Sequence, residues 1–466
     1  MVLIVHDAFP TVSLLDAHRR IDRARYPSFA RLADDSTWFP HSTTTVDETG
    51  RAFRSLLTGR TQWKFAKPDY AEHPRNLFTA LGRRYRIEDG EEATSMCPTR
   101  LCPDVRPQTG ESILALMEKG RRERFMAWLE RIQPTRHPTF YFKHLLLPHP
   151  PWLYLPSGRT YHDGASENVV SREDWNTIPW LLQQKYQRHL LQVEFADRLL
   201  GLTLDRLRAT GLYDRSLIVV TADHGESFGR AGESRAVNDE NAGDIALTPL
   251  LIKRPFQRRG RTDGRHVRII DIAPTISRIA GVRLGWQVSG RSVFGRAAKK
   301  IPRSSLMFAR SGKRIRLTAA SLRRRLAASL SLKLFLFGTA RGPFGSGPHR
   351  ELQGTEVARW PRSAAGSVRA ELDSPERFDD VRLDSAEAPV KITGRLTGPG
   401  NGAPLDIAIA VNGTIEATAP AFTLAQGPRF STLIPETSLL QGRNTVQLFA
   451  IQAGAGAPVL SLIGGT

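Results

Sequence analysis

The stretch that decides the reading is "LIVVTADHGESFG", Leu217 to Gly229. Its first residues, Leu217 to Thr221, are apolar or β-branched without polar alternation, the pattern of a strand buried on both faces of a parallel sheet. The run stops at Asp223, His224 and Gly225. In open α/β sheets the chemistry lies just beyond the carboxyl ends of the strands. An acid followed by an imidazole offers one hard oxygen and one nitrogen, a donor set suited to a divalent cation. Asp-His pairs also occur as ordinary surface residues. The pair therefore acquires meaning only if other strand ends supply more ligands.

Outward from this segment the chain repeats one rhythm. Val2 to Val5 in "MVLIVHDAFP" reads as a short buried strand closed by His6 and Asp7. A helix from about Pro27 to Ala33 and a strand through Trp38 and Phe39 follow. "TTTVDETGRAFRSLLTGR" is a loop leading into a helix over roughly Gly50 to Leu57, ended by Gly59. "NLFTALGRRYRIEDG" gives helix then strand, "ESILALMEKGRRERFMAWLERI" a helix, and "PTFYFKHLLLPHPPW" an apolar strand entering a His-Pro loop. Apolar residues at helical spacing make Trp180 to Thr210 a long amphipathic helix. "TPLLIKRP" and "VRIIDIAPTISRIAG" add a strand and a helix. This alternation over residues 1 to about 295 predicts an α/β domain with a largely parallel sheet and helices on both faces.

Residues 296–364 are read as a basic linker region ("KKIPRSS", "SGKRIR", "SLRRRLAASLSLK") with one short amphipathic helix, either a solvated connector or a segment lying on an anionic membrane. From about residue 365 to 466, short alternating runs separated by Gly, Pro and Asn predict a β-sandwich, with "VNGTI" as a hairpin signal.

A chain of 466 residues exceeds one ordinary core, and 40% hydrophobic with 24% charged residues describes a globular protein. The formal charge of +20 is mostly arginine. It favours anionic partners such as lipid headgroups or phosphorylated polymers, or reflects only a coding bias toward arginine. Nothing beyond charge supports specific nucleic-acid binding, since no aromatic-basic recognition motif is evident. The two cysteines, Cys97 and Cys102 in "SMCPTRLCP", either close a small disulfide loop, implying a non-cytoplasmic setting, or are free thiols. The amino terminus lacks a basic segment and cleavage site, and no run reaches membrane-span length. Neither a signal peptide nor a membrane span is therefore expected within these residues.

With strand ends identified, four donors assemble: Asp7, Thr49 ahead of a helix, Asp223 and His224. One divalent ion held by two carboxylates, an imidazole and a hydroxyl would lower the pKa of the threonine and screen an anionic substrate. The first helical turn adds N–H groups for a substrate oxygen. Each residue alone is more often a turn residue or cap.

The ordered blocks "VLIVHDAFP", "YPSFARLADDSTWF", "TGRAFRSLLTGR", "TADHGESFG", "TPLLIKRP" and "IIDIAPTISRIAG" resemble the successive signatures of sulfatase-like hydrolases and transferases of the alkaline phosphatase superfamily. The resemblance covers residues 1 to about 295 and implies an alkaline-phosphatase-like fold. It implies metal ligands at Asp7, Thr49, Asp223 and His224, with Thr49 the nucleophile seven positions before "LLTGR". It also implies that His149 in "LLLPHPPW" contacts the transferred group; His144 reads instead as a core residue. Arg54, or less so Arg51, would clamp anionic oxygens, the alternative being a surface arginine.

The sequence departs from the sulfatase pattern in three places. Thr49 followed by "GRAFR" cannot be oxidised to formylglycine, Ala8 stands where a second acid is usual, and no histidine lies between His224 and "TPLLIKRP". The resemblance then implies one divalent ion (Zn, Mn, Mg or Ca) and a phosphoryl-transferring enzyme of the phosphoethanolamine transferase and lipoteichoic acid synthase type. Such an enzyme would act on an anionic phosphorylated or sulfated small-molecule, lipid or glycan substrate at the extracytoplasmic cell envelope. The alternatives are a sulfuric ester hydrolase and a catalytically inactive envelope binding protein.

Overall fold

In the computed structural model, the described residues are 1–103, 110–161, 170, 173–229, 237–302, 304–364, 366–398, 404–454 and 456–466. They form two compact units. One comprises Met1–Pro151 and Val193–Ser331, the other Trp152–Gln192 and Leu332–Thr466.

The first unit is built on a seven-stranded sheet in the order Arg86–Glu88, Thr139–Pro148, Val2–Asp7, Ile218–Ala222, Leu250–Lys253, Thr37–Trp38, Arg261–Thr262. Val2–Asp7 runs parallel to both its neighbours, and Leu250–Lys253 alone runs against the rest. All six residues of Val2–Asp7 and all ten of Thr139–Pro148 are buried. Central strands covered on both faces need an unbroken apolar run, which is what the sequence carries there. On one face Leu3, Val5, Phe140, Phe142 and Val219 pack against Phe53, Leu56 and Leu57 of the Thr49–Thr58 helix and against Ile272 and Ile276. Removing a buried ring such as Phe53 from this layer costs about 3–5 kcal/mol.

Helix boundaries follow local chemistry. Pro27 opens Pro27–Ala33, where its missing N–H is no loss. Glu48 caps Thr49–Thr58, its carboxylate accepting from Gly50 N at 2.9 Å and Arg51 N at 3.2 Å. Gly59, at φ 67°, ends that helix in the left-handed conformation glycine favours. The long helix is Pro179–Ala209. The expected helix over residues 111–132 is instead two, Gly110–Glu118 and Arg121–Glu130, divided where Gly120 takes φ 69°.

The second unit contains a five-stranded and a four-stranded, mostly antiparallel sheet. Their inward side chains, among them Ile407, Ile409, Phe430 and Leu448, share one core with Trp180 and Leu181. The "VNGTI" turn joins Asp406–Val411 to Thr414–Pro420, with Asn412 and Gly413 at φ 53° and 85°. Two successive positive φ values are what a two-residue hairpin requires.

The chain divides elsewhere than at 295 and 364. Ser304–Phe308 and Arg314–Thr318 form an antiparallel hairpin, and Ala319–Phe337 is a helix. Met307, Ile315, Leu317 and Leu322 are buried, and Arg325 pairs with Asp244 at 2.5 Å. Up to Ser331 the basic stretch is therefore a packed part of the first unit rather than a linker. Its arginines point outward from alternating apolar residues, and composition alone hides that alternation. Residues 152–192 join the β-rich unit, anchored by Trp180 Nε1 donating to Ser431 O at 2.8 Å.

Candidate active site

The site forms where Val2–Asp7 and Ile218–Ala222 end side by side. The register between the first strand and Thr139–Pro148 shifts between His6 and Asp7. The next residue, Ala8, takes φ 57°, outside the usual range for a residue with a side chain. This turn brings Ala8 N to 3.2 Å from Asp223 Oδ1, which also accepts from His224 N at 2.6 Å. At Ala8, then, a backbone donor and not a second acid meets the cluster.

Asp7, Asp223 and His224 are fully buried, and one donor atom from each lies within 4.8 Å of the others. His224 Nε2 stands 3.6 Å from Asp7 Oδ1 and 3.5 Å from Asp223 Oδ2. Its Nδ1 is 2.9 Å from Gly225 O, so the proton belongs on Nδ1 and the Nε2 lone pair faces the cluster. Gly225 is obligatory, because a Cβ there would sit 2.2 Å from Asp244 O. Thr49 Oγ1 lies 3.4 Å from His224 Nε2, at the first position of its helix. The four residues proposed from the sequence as ligands are thus brought together.

The donor chemistry fits a hard divalent cation. Neither Asp7 oxygen accepts a hydrogen bond among the described residues, and buried carboxylates need compensating charge. Burial by itself would lift the Asp7 carboxyl, but His149, His144 and His224 around it outweigh that and hold it well below the usual carboxylate range. His6 turns its Nδ1 toward Leu147 O at 3.1 Å, and burial pushes its pKa down to about 4. It is therefore neutral.

His149 lies on the loop after Thr139–Pro148, and the buried Arg121 holds that loop by donating to Leu146 O at 2.9 Å and His149 O at 2.8 Å. His149 is one of the three imidazoles that hold the Asp7 carboxyl down, so it lies near the same cluster. His144, read from the sequence as core, has two aspects. Its ring centroid is 4.2 Å from that of Phe53, and its Nε2 is 3.5 Å from Asp7 Oδ2. The two-residue period put it on the Phe53 face, but only the register shows that it also reaches Asp7. Arg54 and Arg51 are both buried, so neither is a surface arginine. Arg54 donates to Gly50 O at 3.2 Å and Lys64 O at 2.8 Å, while Arg51 binds Asp47 at 2.7 Å and Glu48 at 3.3 Å. These partners occupy both guanidiniums with the helix and its flanking loops. Cys97 and Cys102 form a disulfide in the layer beneath.

Fold and cluster together define an α/β protein with a largely parallel sheet, in which acids and a histidine converge at strand ends. Residues 102–282 match the family model described as Sulfatase. The matched segment is less than half of the chain. Among curated proteins it is similar to arylsulfatase K of Xenopus laevis, 37% identical over 99 residues covering 21% of this chain and 18% of that one. It is also similar to N-acetylglucosamine-6-O-sulfatase of Bacteroides thetaiotaomicron, 30% identical over 119 residues, 25% and 21% of the two chains. The matches thus span about a fifth of these relatives' length. Among solved structures, a 4S-sulf protein from a glycosaminoglycan-metabolising locus of Bacteroides thetaiotaomicron superposes with TM-score 0.50, 15% identity, 68% of this chain and 84% of that one. The periplasmic domain of EptC from Escherichia coli gives TM-score 0.46, 16% identity, 66% and 88%. No helix among the described residues is long and apolar enough to cross a membrane.

Proposed function

We propose that the chain is a metal-dependent phosphoryl hydrolase or transferase with Thr49 as its nucleophile. The observation that carries this reading is the 3.4 Å approach of Thr49 Oγ1 to His224 Nε2 beside Asp7 and Asp223. Asp7, Thr49, Asp223 and His224 would hold one divalent cation, which when bound supplies positive charge that favours ionised threonine and screens anionic substrate oxygens. Thr49 Oγ attacks phosphorus, forming the Thr–O–P bond as the bond to the alcohol leaving group breaks. His149 positions that group or protonates it as it leaves. Water or an acceptor hydroxyl then attacks the same phosphorus, releases Thr49 and returns the proton to the site. Arg54 remains a proposal as a clamp only if it exchanges its carbonyl partners for substrate oxygens.

The substrate class is an anionic phosphodiester or phospholipid-linked group of the cell envelope, with the protein acting on the extracytoplasmic side and the disulfide consistent with that setting. Sulfuric ester hydrolysis is the second reading, favoured by the relatives' names, and Thr49 in place of an oxidisable cysteine or serine argues against it. The test compares a bis-aryl phosphate with an aryl sulfate after loading each candidate metal, with Thr49→Ala as control. Phosphodiester turnover abolished by that substitution supports the proposal; sulfate turnover alone reverses the order of the two readings. No turnover of either, with no bound metal, would favour an inactive binding protein.

A further inference from the structure

The loop after the Thr49–Thr58 helix exposes five consecutive residues, Trp63, Lys64, Phe65, Ala66 and Lys67. Trp63 is 49% and Phe65 67% exposed, although rings of this size are ordinarily covered. The loop is tied down from below. Arg54 Nη2 donates to Lys64 O at 2.8 Å, Gln62 N donates to Ser55 Oγ at 3.1 Å, and the Arg51 guanidinium lies 5.0 Å from the Phe65 ring centroid. Its far end packs at the start of that helix, since a Cβ on Gly50 would lie 3.3 Å from Pro68 Cγ. Two buried arginines of the Thr49–Thr58 helix therefore hold this aromatic and basic tip in place.

We infer that the Trp63–Lys67 tip is a membrane-interface anchor that docks on an anionic phospholipid surface. Aromatic rings settle at the boundary between headgroups and acyl chains, while lysines reach the phosphates and bury their methylene stems. The exposed run contains two lysines and no carboxylate. A nucleic-acid base would call for open ring faces along a groove. Here cations already cover one face of each ring, Lys64 Nζ lying 5.1 Å from the Trp63 centroid.

A second exposed aromatic serves as an internal control. Phe256, 71% exposed, follows Leu250–Lys253 in a run rich in arginine. Lys253 pairs with Ile218, the first residue of the strand that ends at the site, so Phe256 leaves the sheet at the opposite end from Asp223.

The test is flotation of the full chain with vesicles of phosphatidylcholine containing about 30% phosphatidylglycerol. The wild type is expected to bind at about 0.1 M salt and to lose most binding at about 0.5 M. Trp63→Ser with Phe65→Ser should lower the partition constant on the order of tenfold or more. Lys64→Glu with Lys67→Glu should lower it similarly, whereas Phe256→Ser should leave it unchanged. The lysine pair decides the matter if the aromatic pair fails to fold. Wild type that does not float, tip variants that float as wild type does, or loss on Phe256→Ser instead would each overturn the inference. Loss of retention on a sulfated polysaccharide, with vesicle binding unchanged, would overturn it too. Binding is read without turnover, so its failure leaves the catalytic reading of Thr49 standing.

Discussion

Asp7→Asn isolates the proposed metal centre, because it changes one buried atom of the cluster and little volume. Asp7 is fully buried among His144, His149 and His224, and neither oxygen accepts a hydrogen bond from a described residue. A cation bound only by the folded state stabilises it by RT ln(1 + [M]/Kd), about 2.7 kcal/mol at a hundred times Kd. The first unit, Met1–Pro151 with Val193–Ser331, has roughly 290 residues. At about 2.1 cal/mol/K per residue its unfolding entropy is about 0.6 kcal/mol/K, so saturation should raise its melting temperature by roughly 4 °C. The assay is thermal unfolding after chelation, then titration with Zn, Mn, Mg or Ca. Asp7→Asn should lose most of the rise, and Asp223→Asn should lose it as well. No rise with any of the four ions in the wild type, or an equal rise in Asp7→Asn, would refute the metal-centre reasoning.

Three further outcomes follow from the geometry. Glu194 is lifted by burial to about 7 from 4.5, with Arg25 at 3.5 Å opposing only in part. The folded state then holds a proton that the unfolded chain has released, and stability falls as pH rises from about 4.5 to 7. The shift corresponds to about 3 kcal/mol at most, so Glu194→Gln should gain roughly 2 kcal/mol on the wild type between about pH 5 and pH 8; parallel melting curves across that range would contradict this. Opening the Cys97–Cys102 disulfide, a sequence separation of 5, should cost about 2 kcal/mol, seen as a lower melting temperature under reductant but not in the double alanine variant. Asp197 accepts from Ser28 N at 3.1 Å and Phe29 N at 2.8 Å, capping the Pro27–Ala33 helix from a distant segment. Asp197→Ala should therefore destabilise by about 1–2 kcal/mol in denaturant unfolding, and an unchanged midpoint would count against the cap.

Much of the fold was legible because the central strands are covered on both faces and so read as continuous apolar runs. Leu217 to Thr221 and the end at Asp223 show this plainly. The helix from Thr49 was marked by its Gly59 stop, and the Asn412-Gly413 turn by its residue types. Arg54 was less legible. Five residues along an α-helix rotate by about 140°, so Arg54 points well away from the face that carries Thr49, toward the carbonyls of Gly50 and Lys64. His144 was only half legible, since strand alternation assigns a face but says nothing of the neighbouring strand's register. The hairpin at Ser304–Thr318 was hidden because arginines dominate its composition while Met307, Ile315 and Leu317 alternate inward. Asp197 could not be read as a cap, because its partners lie about 170 positions away.

The central claim is that Thr49 becomes covalently attached to phosphorus. Incubation with a phosphodiester, rapid acid quench and peptide mass spectrometry test it most directly. The expected result is, on the peptide at Thr49, the mass increment of the phosphoryl group still carrying its second ester (the substrate less its leaving alcohol), absent in Thr49→Ala. An increment on another residue, or none at Thr49 while turnover continues, would contradict the account.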